Sequence, residues 1–167
     1  MKIRISAFFL FLCIALCSCT VQTEFDIYDF CKRFNAVSEE KALSTADFMS
    51  DKNGMLHCFL TVGESTVLIS FNESENSSLE SVFVTVRFDQ YSEKDLILIK
   101  NTIHRVFAAF NYSDTDKADK LLSSTGFDSD YKPFSEYFKT EKSERYKTTL
   151  YSNEYAFTVS QEKIDMD

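Results

Sequence analysis

Three stretches in close succession alternate apolar and polar residues with a period of two. They are Leu56, Cys58, Leu60 and Val62; then Val67, Ile69 and Phe71; then Val82, Val84, Val86 and Phe88. Neighbouring side chains on a strand point to opposite faces, so each stretch reads as a strand with one buried face. Strands this close need short reversals. Asn53-Gly54 signals a hairpin with arms over 48–52 and 55–62, and Gly63-Glu64-Ser65 supplies the next turn. Residues 72–80, NESENSSLE, form a polar loop whose one candidate core residue is Leu79. The result is an antiparallel meander with an apolar face that another layer must cover.

Helical periodicity supplies that layer. Thr23 and Asp26 resemble a capping box ahead of Ile27, Phe30, Cys31, Phe34 and Val37, which predicts a helix over 24–37. Ser92 and Asp95 mark a second start, followed by the chain's clearest amphipathic stripe: Leu96, Ile99, Ile103, Val106, Phe107 and Phe110. Residues 113–124 read as a short helix stopped by Gly126. Pro133 sits where a first helical turn tolerates it, ahead of Phe134, Tyr137 and Phe138. Alternation returns over 146–151 and 155–160 as a closing hairpin. The order helix, four strands, helices, two strands predicts an α+β fold, an antiparallel sheet with helices packed on one face as a two-layer sandwich. With 44% hydrophobic and 15% aromatic residues, three Gly and one Pro, disordered and collagen-like chains are excluded.

Residues 1–18 divide from the rest. Lys2 and Arg4 precede an apolar run from Ala7 to Leu16, and small residues follow, the three-part layout of a secretory signal peptide. Ten apolar residues make about 15 Å of helix, roughly half a hydrocarbon core, so the run is a leader rather than a membrane span. Its end, Leu16-Cys17-Ser18-Cys19, resembles the lipobox of bacterial lipoproteins, with Cys17 where Ala, Ser or Thr is usual. The resemblance covers the leader alone. It implies a diacylglyceryl group on the sulfur of Cys19 and cleavage just before it, hence a lipid-anchored protein of the cell membrane or envelope, facing away from the cytoplasm. Ordinary cleavage after Cys17, giving a freely secreted protein, is the alternative. On the lipoprotein reading 1–18 is signal peptide, 19–23 lipidated cysteine and tether, and 24–167 a single domain.

The formal charge is −8, and because Lys2 and Arg4 are the leader's only charged residues, the remainder carries −10. Such a surface argues against nucleic acid as a partner. It also argues against direct binding to anionic headgroups. Asn72, Asn76 and Asn111 head glycosylation triplets that would matter only to a eukaryotic secreted protein.

A search for chemistry singles out few residues. Cys31 and Cys58 are the cysteines of the domain, either a disulfide or two buried thiols; their spacing suits no metal site. His57 and Cys58, adjacent on a strand, diverge and form no dyad. His104 falls on the polar face of the main helix and reads as solvated. Asp114, Asp116 and Asp119 lack the glycine and glutamate of a calcium loop and read as helix-start acids; Asp128 and Asp130 read as turn residues. No cofactor is implied. The one candidate binding surface is the cluster Tyr131, Phe134, Tyr137 and Phe138 among Lys132, Lys139 and Lys142, against the alternative that these rings cap the core. Two functions stay open: a non-catalytic envelope lipoprotein binding a protein, peptide or small ligand, and a small envelope hydrolase or carbohydrate-active enzyme with acidic catalytic residues.

Overall fold

The computed structural model describes residues 25–37, 42–111, 115–129 and 131–164. Helix α1 (Ile27–Val37) leads into a meander of β1 (Met49–Ser50), β2 (Leu56–Val62), β3 (Ser65–Glu73) and β4 (Leu79–Arg87). Helices α2 (Leu96–Phe110) and α3 (Thr115–Ser124) follow, then β5 (Tyr137–Lys142), β6 (Tyr146–Ser152) and β7 (Ala156–Lys163). The strands form one antiparallel sheet in the order β1-β2-β3-β4-β7-β6-β5, so the two meanders join where β4 pairs β7. All three helices lie on one face, α1 against α2, α2 against β2 and β4, and α3 against β5 and β6. This is the α+β two-layer sandwich that the sequence predicts.

Strand parity decides which residues fill the space between the layers. Cys58, Leu60, Val67, Ile69, Phe71, Val82, Val84, Val86, Leu150, Phe157 and Val159 face the helices and are buried. They meet Phe30 and Phe34 of α1 and Ile99, Ile103, Val106, Phe107 and Phe110 of α2, with Phe30 and Phe71 in edge contact at 4.6 Å. Leu79 is fully buried and opens β4, so the polar loop narrows to 74–78.

Several details depart from the sequence reading. Asp26 caps α1, its Oδ1 accepting from the Asp29 N–H at 2.9 Å; Thr23 lies outside the described residues. Asp95 does not cap α2. Its carboxylate turns onto the β2–β3 hairpin, accepting from the Glu64 N–H at 2.7 Å and Ser65 Oγ at 2.9 Å. Residues after Pro133 form no helix; they run into β5, because Phe134 takes a left-handed backbone (φ 65°) that ends helical continuation and the chain pairs with β6 instead. Of the two alternatives left open for Cys31 and Cys58, the structure has the buried thiols, with no disulfide between them. Both thiols are buried in the core, and burial, then the nearby Cys58, pushes Cys31 up to about 11. Asn111 is no glycan acceptor, being 1% exposed, with its Nδ2 donating to the Phe107 carbonyl and to Gln161 Oε1.

Candidate functional site

The face of the sheet away from the helices carries a row that crosses six strands: Phe59, Leu68, Thr85, Thr158, Tyr151 and Phe138 are successive cross-strand neighbours. Its centre is polar, with Thr85 and Thr158 hydrogen-bonded at 2.9 Å, and its β5–β6 end is aromatic. Around the strand ends where the chain leaves β4 and β6 and enters β7 and β5, four rings are exposed. Phe134 is 61% exposed, Phe138 71%, Tyr155 71% and Tyr151 47%. Phe134 stacks on half-buried Phe88 with centroids 4.2 Å apart and meets Tyr91 edge-on at 5.7 Å.

Tyr151 and the turn that carries Tyr155 are held by Asn153. Asn153 Oδ1 accepts from the N–H groups of Tyr155 and Ala156 at 2.8 and 3.0 Å, and its Nδ2 donates to the Tyr151 hydroxyl at 3.2 Å. The Phe88 N–H donates to the Tyr155 carbonyl at 2.8 Å, tying the β6–β7 turn to the end of β4. A hydrogen bond with Glu154 pushes the Tyr155 phenol above its ordinary range. Two shallow clefts flank the turn. One, of 310 Å³, is lined by Glu136, Phe138, Tyr151 and Asn153; the other, of 460 Å³, by Arg87, Phe88, Glu154 and Tyr155. Holding a large aromatic at positive φ costs roughly 1–3 kcal/mol, and Phe134 incurs that cost while leaving most of its ring in water.

The sequence cluster thus divides. Tyr131 is 4% exposed and belongs to the core, near Phe127 and Phe157, where burial pushes its phenol well up. Tyr137 is half-buried and donates its hydroxyl to the Thr125 carbonyl at 2.8 Å. Phe134 and Phe138 stay on the surface, joined by Tyr151, Tyr155 and Phe88. Parity alone marks Tyr151, which neighbours the core residue Leu150 on β6 and so must face outward. Cys19 lies outside the described residues.

Two histidines make constellations that adjacency in sequence does not show. On the open face His57 Nδ1 meets Ser70 Oγ at 2.8 Å, while its Nε2 faces Asp51 Oδ2 at 3.3 Å. Hydrogen bonds from the Asn53 N–H and from His57 hold the Asp51 carboxyl below its ordinary range. This is the serine, imidazole and carboxylate order of a relay. Ser70, however, is 5% exposed on an interior strand whose backbone is paired to β2 and β4, so the N–H groups beside it are already engaged and do not form an oxyanion hole. Cys58 points the other way, into the core, as predicted.

His104 is not solvated as the sequence suggests. It is half-buried between two carboxylates, Nδ1 to Asp119 Oδ1 of α3 at 3.0 Å and Nε2 to Asp128 Oδ1 at 2.9 Å. Burial works to lower the imidazole's pKa, and the hydrogen bonds to Asp128 and Asp119 outweigh it, so the ring is held above its ordinary 6.5. Asp128 is buried in part, but His104 and Ser123, whose Oγ donates at 2.6 Å, hold its carboxyl below the usual range. The hydroxyl touches the carboxylate and not the ring, so His104 cannot serve it as a base. The two carboxylates sit on opposite ring nitrogens and cannot converge on one ion. Among the described residues no group of three His, Cys, Asp or Glu could hold a metal. Asp114 and Asp130 lie outside the described residues.

Comparison with family models, with curated proteins and with solved structures finds no match to this chain.

Proposed function

We propose that this chain is a cell-envelope lipoprotein, anchored through Cys19 and facing away from the cytoplasm, whose domain binds a protein, peptide or small ligand without catalysing a reaction. The anchor reading rests on the lipobox resemblance of Leu16 to Cys19. The binding reading is carried by Phe134, a bulky ring held at φ 65° and 61% exposed against Phe88, in a rim with three further exposed rings, of which Asn153 bonds to the Tyr151 hydroxyl and to the backbone of Tyr155. Aromatic side chains with few rotatable bonds supply contact area at low entropic cost, which is why they dominate binding hot spots.

The anchor is tested by mass spectrometry of the membrane-extracted N-terminus: a diacylated Cys19 is expected, and an unmodified chain beginning at Ser18 overturns it. The rim is tested in membranes with a photo-crosslinking residue in place of Tyr155 or, as control, of Lys32 on α1. A discrete adduct from Tyr155, lost in Phe134→Ala, is expected. Equal adducts from both positions, or an adduct indifferent to Phe134→Ala, overturn the reading.

A further inference from the structure

His104 makes two hydrogen bonds that only its charged form can make together. A neutral imidazole has one N–H and one lone pair, whereas an imidazolium has two N–H groups. Both neighbours, Asp119 at 3.0 Å and Asp128 at 2.9 Å, are carboxylates that accept. When the proton leaves, a ring lone pair faces a carboxylate oxygen and that contact turns from attractive to repulsive. We propose that His104 is a proton-operated clamp, fastening α3 and the turn that follows it to α2 and releasing them when the ring loses its charge.

The surrounding groups support a clamp at this place. Asp119 reaches the ring from α3, and Asp128 from the turn after it. The cation on the same side of α2 is Lys100, one helical turn earlier, whose Nζ donates to the carbonyls of Phe127 and Asp128 and lies 5.1 Å from the Phe127 centroid. Burial lowers the pKa of Lys100, so the assignment to the histidine rests on Asp119→Asn, which changes a partner of His104 and leaves Lys100 and its two carbonyls as they are. The segment it fastens also supports β5: the Thr125 carbonyl accepts from Tyr137, and the Ser124 carbonyl accepts from Lys139 at 2.6 Å. The clamp is independent of any partner at the aromatic rim.

The isosteric change Asp119→Asn separates this mechanism from ordinary pH sensitivity. In D119N the side-chain amide donates to the lone pair of a neutral ring, whose remaining N–H donates to Asp128, so the clamp stays closed without the proton. Amide hydrogen exchange of the full chain, corrected for intrinsic rates, is measured at about pH 5.5 and about pH 8.5, on either side of a histidine titration. Protection over 116–129 is expected to fall about tenfold at the higher pH in the wild type, the scale of one hydrogen bond to a charged group. It is expected to stay level in D119N, with β3 and β4 unaffected in both. Equal wild-type protection at the two pH values overturns the clamp, and so does an equal fall in D119N.

Discussion

Gly63 and Gly54 both take left-handed backbones, at φ 62° and 82°, in the hairpins that flank β2, yet replacing them with alanine should have very different consequences. A Cβ on Gly54 meets nothing within 4 Å. A Cβ on Gly63 would lie 2.1 Å from Asp95 Oδ1 and 2.5 Å from its Cγ. Asp95 has little room to retreat: it is 6% exposed and accepts from the Glu64 N–H and Ser65 Oγ, and Ser65 Oγ in turn accepts from the Ser92 N–H at 2.8 Å. Both variants incur roughly 1–2 kcal/mol of backbone strain. Gly63→Ala also displaces a buried carboxylate from its donors, and hydrogen bonds to a charged group are worth about 1.5–3 kcal/mol each. With one of the carboxylate's two hydrogen bonds lost, the sum is about 2.5–5 kcal/mol for Gly63→Ala against about 1–2 for Gly54→Ala. In a chain of this size that corresponds to Tm losses of roughly 12 °C and roughly 4 °C. Thermal melts followed by circular dichroism read the difference directly. In an Asp95→Ala background the clash is gone, so Gly63→Ala should fall to the cost of Gly54→Ala, a coupling that additive strain cannot produce. Equal melting temperatures for the two alanine variants, or no relief in the Asp95→Ala background, would refute the clash with Asp95 as the cause.

The pH dependence of stability follows from the His104 and Asp128 directions. His104 is raised in the folded state, so its contribution is complete below its ordinary 6.5 and lost as pH rises through the folded value; Asp128 is lowered, so its contribution is present above its ordinary 3.8 and lost as pH falls through the folded value. Chemical denaturation of wild type and His104→Ala should therefore diverge most between those two values and converge on the alkaline side; a constant difference contradicts the pairing. Tyr131→Ala should cost about 3–5 kcal/mol as a core truncation, and Phe138→Ala no more than about 0.5, so equal melts would show that the aromatic segment does not divide as described. Cys31 and Cys58 should resist alkylation in the native protein and react on unfolding with or without reductant. Rapid native labelling would contradict their burial, and a need for reductant would reveal a bond.

The sequence foretold elements where one face is unambiguously dry and missed them where it is not. The α2 stripe and the alternation of β2, β3 and β4 were legible because their buried residues repeat at a fixed period with polar residues between. Strand β5 was not, since an edge strand is half wet on both faces: Lys139 and Glu141 share the helix side with Tyr137, and Thr140 and Lys142 share the open side with Phe138. With the period hidden, Pro133 suggested a helix. Asp95 was misread for another reason, because capping propensity is local and the carboxylate found better donors thirty-one residues back at Glu64. The histidine constellations depend on tertiary approach across helix or strand pairs, Asp119 and Asp128 lying fifteen and twenty-four positions from His104, and no spacing rule connects them.

On the proposed lipoprotein reading, the anchor and the exposed rings constrain one another through β4. The Leu79 N–H donates to the Phe25 carbonyl at 2.8 Å, so the first described residue of the chain is fixed at the start of β4, whereas Phe88 and the Tyr155 turn lie at its end. Nine residues of strand separate the two, about 27–30 Å at the usual rise. If Cys19 carries lipid, the five residues from Thr20 to Glu24 reach at most about 17 Å even when fully extended, less than the length of the strand. On that reading, with β4 standing off the surface, the tether would hold the Phe25 end near the bilayer and place Phe88 and the Tyr155 turn at the far end of the strand. The charge of −10 beyond the leader favours the same arrangement, since repulsion by anionic headgroups opposes laying the domain flat. A ligand of the rim is therefore expected to be met about a strand's length from the membrane that holds the anchor, which fits exposed aromatics braced for contact with a partner better than rings meant to enter lipid.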